Sequence, residues 1–431
     1  MEDKEAIQKL YPYWRYRTLY TIFIGYAFYY FTRKSYTFAM PGLIEELQFD
    51  KGQIGILGSI FSLTYGVSKF ASGMLSDCSS PRYFMATGLF LTGVCNILFG
   101  LSSSLFFFAL FWGFNGWFQG FGAPPCIRFL TQWYSHSERG SWWSTWSTSH
   151  NIGAFLIPWI VGWSLQEWGW RWAMYIPGCI CICGSFFLIN RLRDTPGSIG
   201  LPCIENYRND HFSQVGESET PQSFWTIFSL YILKNKYIWL LFCAYFFIYF
   251  VRIGISDWTA LFLIEKKGYT LMSASGSVSL FEVGGMVGGL SAGWASDRFF
   301  QAKRGPVNIL YTVAIIGALF FFMSIPKGYP LIDSASIFLL GFSIYGPQML
   351  IGVAAAEATH KSAVATSNGL VGLGAYLGAA VAGFPLGRIA DTFGWEGYFW
   401  TLVGSAVIAL ILLMPMWGVT KQKAPVSPPI S

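Results

Sequence analysis

Only 12% of these 431 residues carry a charged side chain, about half of the roughly 25% of a soluble globular domain. That shortage excludes a solvated surface over most of the chain and places the sequence in the membrane class. The four histidines, at 136, 150, 211 and 360, show no ligand spacing, so no metal site is expected. No Gly-Lys dipeptide occurs, which removes a Walker-type phosphate loop and with it any ATP engine in this chain. No Ser-centred nucleophile elbow or acid pair is read that would support a membrane-embedded enzyme, and no cofactor is expected. The eight cysteines form no framework: Cys179, Cys181 and Cys183 alternate within one apolar run, which scatters them round a helix as small fillers. A net charge of +6 does not require nucleic acid as a partner, because basic residues at membrane edges report orientation.

What the chain has in quantity is apolar length. Hydrophobic residues make up 53% and aromatics 19%, and twelve runs are each long enough to cross about 30 Å of hydrocarbon. They lie at roughly 18–40, 53–75, 82–101, 105–133, 141–166, 171–191, 237–264, 272–294, 305–325, 335–357, 364–390 and 396–417. The first follows a polar, mixed-charge segment and does not read as a cleavable signal peptide. With the N-terminus inside, seventeen of the 28 Lys and Arg fall in cytoplasmic segments and six on the opposite side, so both termini are expected in the cytoplasm. The expected organisation is a cytoplasmic segment 1–17, a six-helix bundle 18–191, a polar linker 192–236, a second bundle 237–418 and a tail 419–431. The fold class is an all-α polytopic membrane protein of two pseudo-symmetric bundles.

The halves echo each other. Arg33 precedes Asp77 of "GMLSD" just as Arg252 precedes Asp297 of "GWASD", and "EWGWRWAMYIPG" has its counterpart in "FGWEGYFW". An internal repeat of this kind marks a transporter built around a central pathway.

Five cations fall within the runs: Arg33, Lys34, Lys69, Arg128 and Arg252. A charge at mid-membrane costs about 2.5–3.5 kcal/mol on insertion scales, so such residues face a cavity or a partner. Arg33 and Arg252 hold equivalent places, and two planar donors near one pseudo-symmetry axis would demand an anion such as phosphate. The alternative is pairing with Glu282, Asp257 or Glu357. Lys34 points about 100° away from Arg33 and is either cavity wall or structural contact. Lys69 is either a substrate attractor or an anchor between helices. Arg128 is expected to snorkel to the interface. His150, in "STSHNIG", has a ring that titrates near neutrality and can answer a phosphate. Tyr26, Tyr30, Tyr345 and Tyr376 are candidates to donate to sugar hydroxyls while their rings pack on the sugar, interfacial belts being the alternative. Asp77 and Asp297, with Arg82, Arg298 and Arg304 nearby, are expected to gate.

The strings "YYFTRKSYTFAMP", "YGVSKFASGMLSDCSSPR", "GFGAPPCIRFLTQWYS", "STSHNIG" and "GFSIYGPQMLIGVAAAEATHKSAVATSNGLVG" resemble the organophosphate:phosphate antiporters of the major facilitator superfamily, over nearly the whole chain. The likeness is greatest to the hexose-phosphate branch, which includes glucose-6-phosphate transporters and a sugar-phosphate sensor. The resemblance implies a phosphate clamp of Arg33 and Arg252, assisted by His150 and Lys69, with Glu282 near the site. Span eleven departs from some members of that branch, since residues 364–387 hold no charge. The expected activity is exchange of a hexose phosphate, glucose 6-phosphate first, for inorganic phosphate in a bacterial inner membrane. The protein is expected to be a monomer in the lipid bilayer. A receptor for extracellular glucose 6-phosphate on the same fold is the alternative.

Overall fold

The computed structural model describes residues 2–135, 137–209, 233–301, 303–359 and 364–418, without the side chains of 2–6, Phe70, Asp77, Val364 and Ala365. His136, His211, His360 and the tail 419–431 lie outside the described residues. The chain divides into two units, Met1–Val215 and Gly216–Ser431, and the division falls inside the expected linker.

The first unit runs α1 (Glu2–Leu47), α2 (Lys51–Asp77), α3 (Pro81–Leu101), α4 (Leu105–Gln119), α5 (Ala123–Trp133), α6 (Arg139–Ser147), α7 (Ser149–Trp168), α8 (Trp170–Arg191) and the short α9 (Ile204–Arg208). The second runs α10 (Lys236–Lys267), α11 (Leu271–Phe299), α12 (Arg304–Ser324), α13 (Pro330–Glu357), α14 (Val364–Val381), α15 (Phe384–Thr392) and α16 (Gly394–Leu413). Every expected run is helical, but three are broken. Runs four, five and eleven each become two helices: α4 and α5, α6 and α7, α14 and α15. At the first break Gly120 and Gly122 interrupt the ladder and prolines occupy the first turn of α5, where a missing N–H costs nothing. Among the described residues seven stretches are long and apolar enough to cross a membrane, one of them, Thr366–Thr392, running through the break between α14 and α15. α1 is not one of them, since its tyrosines and paired cations dilute the run.

Local chemistry sets the helix starts. Asp50 and Gln53 cap each other at the head of α2, at 2.6 and 3.0 Å, a reciprocal box that satisfies two orphan donors. Asn235 accepts from Tyr237 N–H at 3.1 Å to open α10. Small residues then set how closely helices approach. A Cβ on Gly288 would lie 2.0 Å from the Phe342 carbonyl oxygen, and one on Gly341 2.0 Å from that of Phe281. Only glycine lets α11 and α13 pack at that distance, a small-residue contact suited to membranes.

The repeat is visible in single contacts. The Trp170 indole donates to Glu46 at 2.9 Å, tying the start of α8 to the end of α1. The Trp395 indole donates to Glu265 at 2.9 Å, tying α16 to α10 in the same way.

Two expectations change. Residues 192–208 are not a free linker: Leu192, Leu201 and Ile204 are buried, Tyr11 stacks on Tyr207 at 3.9 Å, and Tyr11 donates to the Pro202 carbonyl at 2.9 Å. Widely spaced aliphatic residues gave no period to read, yet they suffice to seat the segment on the first unit. The string "GLSAG" over 289–293 does have the spacing of a nucleophile elbow, contrary to the reading above. It lies inside α11 with no strand before it, and the Ser291 hydroxyl is 3.0 Å from the Gly288 carbonyl and 2.8 Å from Tyr311 Oη.

Candidate substrate-binding residues

In the first unit the group centres on Arg33, half-buried on α1. Its guanidinium carbon lies 4.3 Å from the Tyr30 ring and 4.4 Å from the Tyr65 ring. Tyr30 is one turn earlier on α1, and Tyr65 comes across from α2. Both rings lie at cation–π distance from the guanidinium, whose planar fork hydrogen-bonds at its edge. Arg33 Nε donates to Gln119 Oε1 at 3.2 Å. Gln119 is itself fixed, its Nε2 donating to the Tyr29 carbonyl and to Thr32 Oγ1, both at 3.0 Å. An amide held in this way orients the arginine without neutralising it.

Around this core the structure gathers several of the expected residues. Tyr26 lies 5.8 Å from Tyr30 and 4.9 Å from Trp146, ring to ring, and His150 lies 5.6 Å from Tyr30. Lys69 is exposed and one turn beyond Tyr65, so it shares that face of α2. Lys34 is half-buried, one position round α1 from Arg33.

The second unit repeats the plan with different chemistry. Arg252 Nη2 donates to Tyr345 Oη at 3.1 Å, and Tyr345 donates to Glu282 Oε2 at 2.5 Å. One phenol thus links an arginine on α10 to a buried carboxylate on α11. This is a variant of the pairing alternative, with a tyrosine between the charges. The guanidinium carbon is 5.0 Å from the Tyr345 ring and 5.2 Å from the Tyr249 ring. Tyr376 joins through Tyr249, ring centroids 6.0 Å apart.

Sequence reasoning missed Tyr65, Gln119, Trp146 and Tyr249. Tyr249 had a signal, because "YFTR" at 30–33 is matched by "YFVR" at 249–252, placing a tyrosine one turn before each arginine. Tyr65 and Gln119 had none, since each reaches Arg33 from another helix.

The expected gate is partly described. Arg304 Nη1 pairs with Asp297 at 2.6 Å and Nη2 with Glu357 at 3.2 Å, so one guanidinium at the head of α12 holds the ends of α11 and α13. Glu357 is therefore an end-of-helix partner of Arg304, not a companion of a mid-span arginine. The Asp77 side chain lies outside the described residues. Arg82 donates through Nε to the Ile189 carbonyl at 2.7 Å. Arg128, expected at the interface, donates through Nη1 to the carbonyls of Ser76 and, at 2.6 Å, Ser79, at the end of α2. The Ser76 carbonyl also accepts from Ser79 N–H at 3.3 Å, so the guanidinium adds a charged donor at a helix end that favours one.

The Major Facilitator Superfamily model matches residues 22–383. A "Probable hexose phosphate transport protein" of Chlamydia pneumoniae is 52% identical, covering 98% of this chain and 95% of that protein. "Membrane sensor protein UhpC" of Escherichia coli strain K12 is 44% identical, over 96% and 95%. The "Glycerol-3-phosphate transporter" of Bacillus subtilis strain 168 is 39% identical, over 97% and 96%. Among solved structures, an inward-facing, unoccupied bacterial homolog of the human lysosomal transporter Spinster superposes with a TM-score of 0.70 at 18% identity, covering 94% of this chain and 95% of that one. The peptide transporter POT in complex with sulfate gives 0.71 at 16%, over 92% and 94%; both show the fold alone. The chain belongs to the Major Facilitator Superfamily, in the branch of these hexose-phosphate and glycerol-3-phosphate relatives.

Proposed function

We propose that this protein exchanges a hexose phosphate, glucose 6-phosphate first, for inorganic phosphate by alternating access in a bacterial inner membrane. Both termini are cytoplasmic, the protein acts as a monomer, and it performs no catalysis. Arg33 and Arg252 hold the phosphate, His150 and Lys69 assist, and Tyr26, Tyr30, Tyr345 and Tyr376 meet the sugar. Lys34 completes the wall, while Asp77 and Asp297 serve the switch. The observation that carries the reading is the setting shared by Arg33 and Arg252: a guanidinium beside two tyrosine rings on a long helix, once in each unit. Planar paired donors in a low-dielectric setting select an oxyanion over a neutral sugar. The names of the hexose-phosphate relatives supply the sugar.

A sensor of the same ligand is the second reading, favoured by the likeness to a membrane sensor. Counterflow of labelled glucose 6-phosphate in proteoliposomes of the purified chain separates the two. Saturable counterflow is the expected result; ligand binding without flux would establish the sensor.

A further inference from the structure

We propose that the head of α10 carries a binding site for an anionic phospholipid. A groove of about 490 Å³ there is lined by Leu233, Lys234, Lys236, Trp239, Leu240 and Cys243. Lys236, Trp239, Leu240 and Cys243 recur at positions three, four and seven apart and so share one face of the helix. Leu233 and Lys234 come from the turn before it, which is pinned because the Trp239 indole donates to the Leu233 carbonyl at 3.1 Å and Asn235 donates to the Ala358 carbonyl at 2.7 Å.

The order of side chains along this face follows a phospholipid from headgroup to tail. α10 has 32 residues, about 48 Å of helix at 1.5 Å per residue, against about 30 Å of hydrocarbon. With lysines at both ends, Lys236 at the first and Lys266 and Lys267 at the last, the surplus length is shared between them and the first turns stand in the headgroup layer. Lys234 and Lys236 are exposed there, and among the described residues neither has an acidic partner. Trp239 is 39% exposed one turn deeper, where an indole's amphipathic ring suits the interface. Leu240 and Cys243 follow at the depth of the upper acyl chain. Two ammonium groups over an apolar trough match a phosphate ester that carries hydrocarbon, and neither a neutral lipid nor a free sugar phosphate satisfies both parts.

The test uses the full chain in lipid nanodiscs containing a photoactivatable phosphatidylglycerol, with crosslinks mapped to peptides. Crosslinks should concentrate on 233–243. Each lysine near an anionic surface contributes roughly fivefold in affinity, so Lys234→Gln with Lys236→Gln should reduce crosslinking there about 25-fold while thermal stability holds. Crosslinking to phosphatidylcholine should be weak, and inorganic phosphate should not compete. Equal labelling by the two lipids, unchanged labelling of the double variant, or occupation of the face by residues 210–232 or a second copy of the chain would each overturn the proposal.

Discussion

At Arg33 two kinds of contact act on one guanidinium: the rings of Tyr30 and Tyr65 at cation–π distance, and the Gln119 amide as acceptor for Nε. Lysine retains the charge but neither the plane nor the fork. Arg33→Lys should therefore lose about 1.5–3 kcal/mol of phosphate binding, roughly 10- to 150-fold in affinity. Arg252→Lys should behave alike, read by displacement of labelled glucose 6-phosphate; near wild-type affinity in either variant would remove the arginine from the site. Gln119→Leu tests positioning. It leaves Arg33 in place but frees it to turn, so affinity should fall by about tenfold. Gln119→Glu keeps an acceptor for Arg33 Nε but loses the donors to Tyr29 and Thr32. It also holds Arg33 as an ion pair that competes with phosphate, so it should not restore affinity. Lower thermal stability with unchanged affinity would make Gln119 merely structural. The arginines were legible in the sequence because charge in an apolar run has few explanations. Gln119 and Tyr65 were not, since their meaning arises only where α4 and α2 meet α1.

Helices show a similar division. Hydropathy found twelve runs, but not the breaks after Gln119 and Ser147, because averaging over a run hides the local Gly-Phe-Gly-Ala-Pro-Pro of the first and the polar Thr-Ser-His-Asn of the second. It also passed over α9, whose burial rests on isolated residues. Ion pairs at helix ends yield two predictions. Arg304 joins α11, α12 and α13 through Asp297 and Glu357, so Arg304→Gln should alter exchange rate more than affinity. A large affinity loss at unchanged rate would reverse that assignment. Glu138 is held between Arg15 and Arg208; burial pushes its carboxyl up, but the two arginines outweigh it and set it below the usual 4.5. A lowered folded-state value contributes stability above the unfolded value that disappears as pH falls through the folded one. The thermal stability gap between wild type and Glu138→Gln should be steady from about pH 6 to 8 and close below about pH 4.5. A gap that persists in acid would mean packing, not charge, joins α9 to α1.

For the whole molecule the central claim is exchange. On the proposed reading the guanidiniums of Arg33 and Arg252 outnumber the one carboxylate that the described network reaches, Glu282 behind Tyr345. That surplus positive charge at low dielectric disfavours an empty carrier when water is excluded. A phosphate dianion offsets that charge, so the loaded carrier should reorient easily and the empty one reluctantly. Inorganic phosphate presents the same group as glucose 6-phosphate without the sugar, and glucose presents the sugar without the group, so phosphate should act as counter-substrate and glucose should not compete. The direct measurement is initial uptake of labelled glucose 6-phosphate into proteoliposomes of the purified chain, preloaded with phosphate or free of it. Exchange predicts rapid uptake with phosphate inside and little without it. Equal initial rates in the two would show that the empty carrier reorients freely, and would contradict antiport.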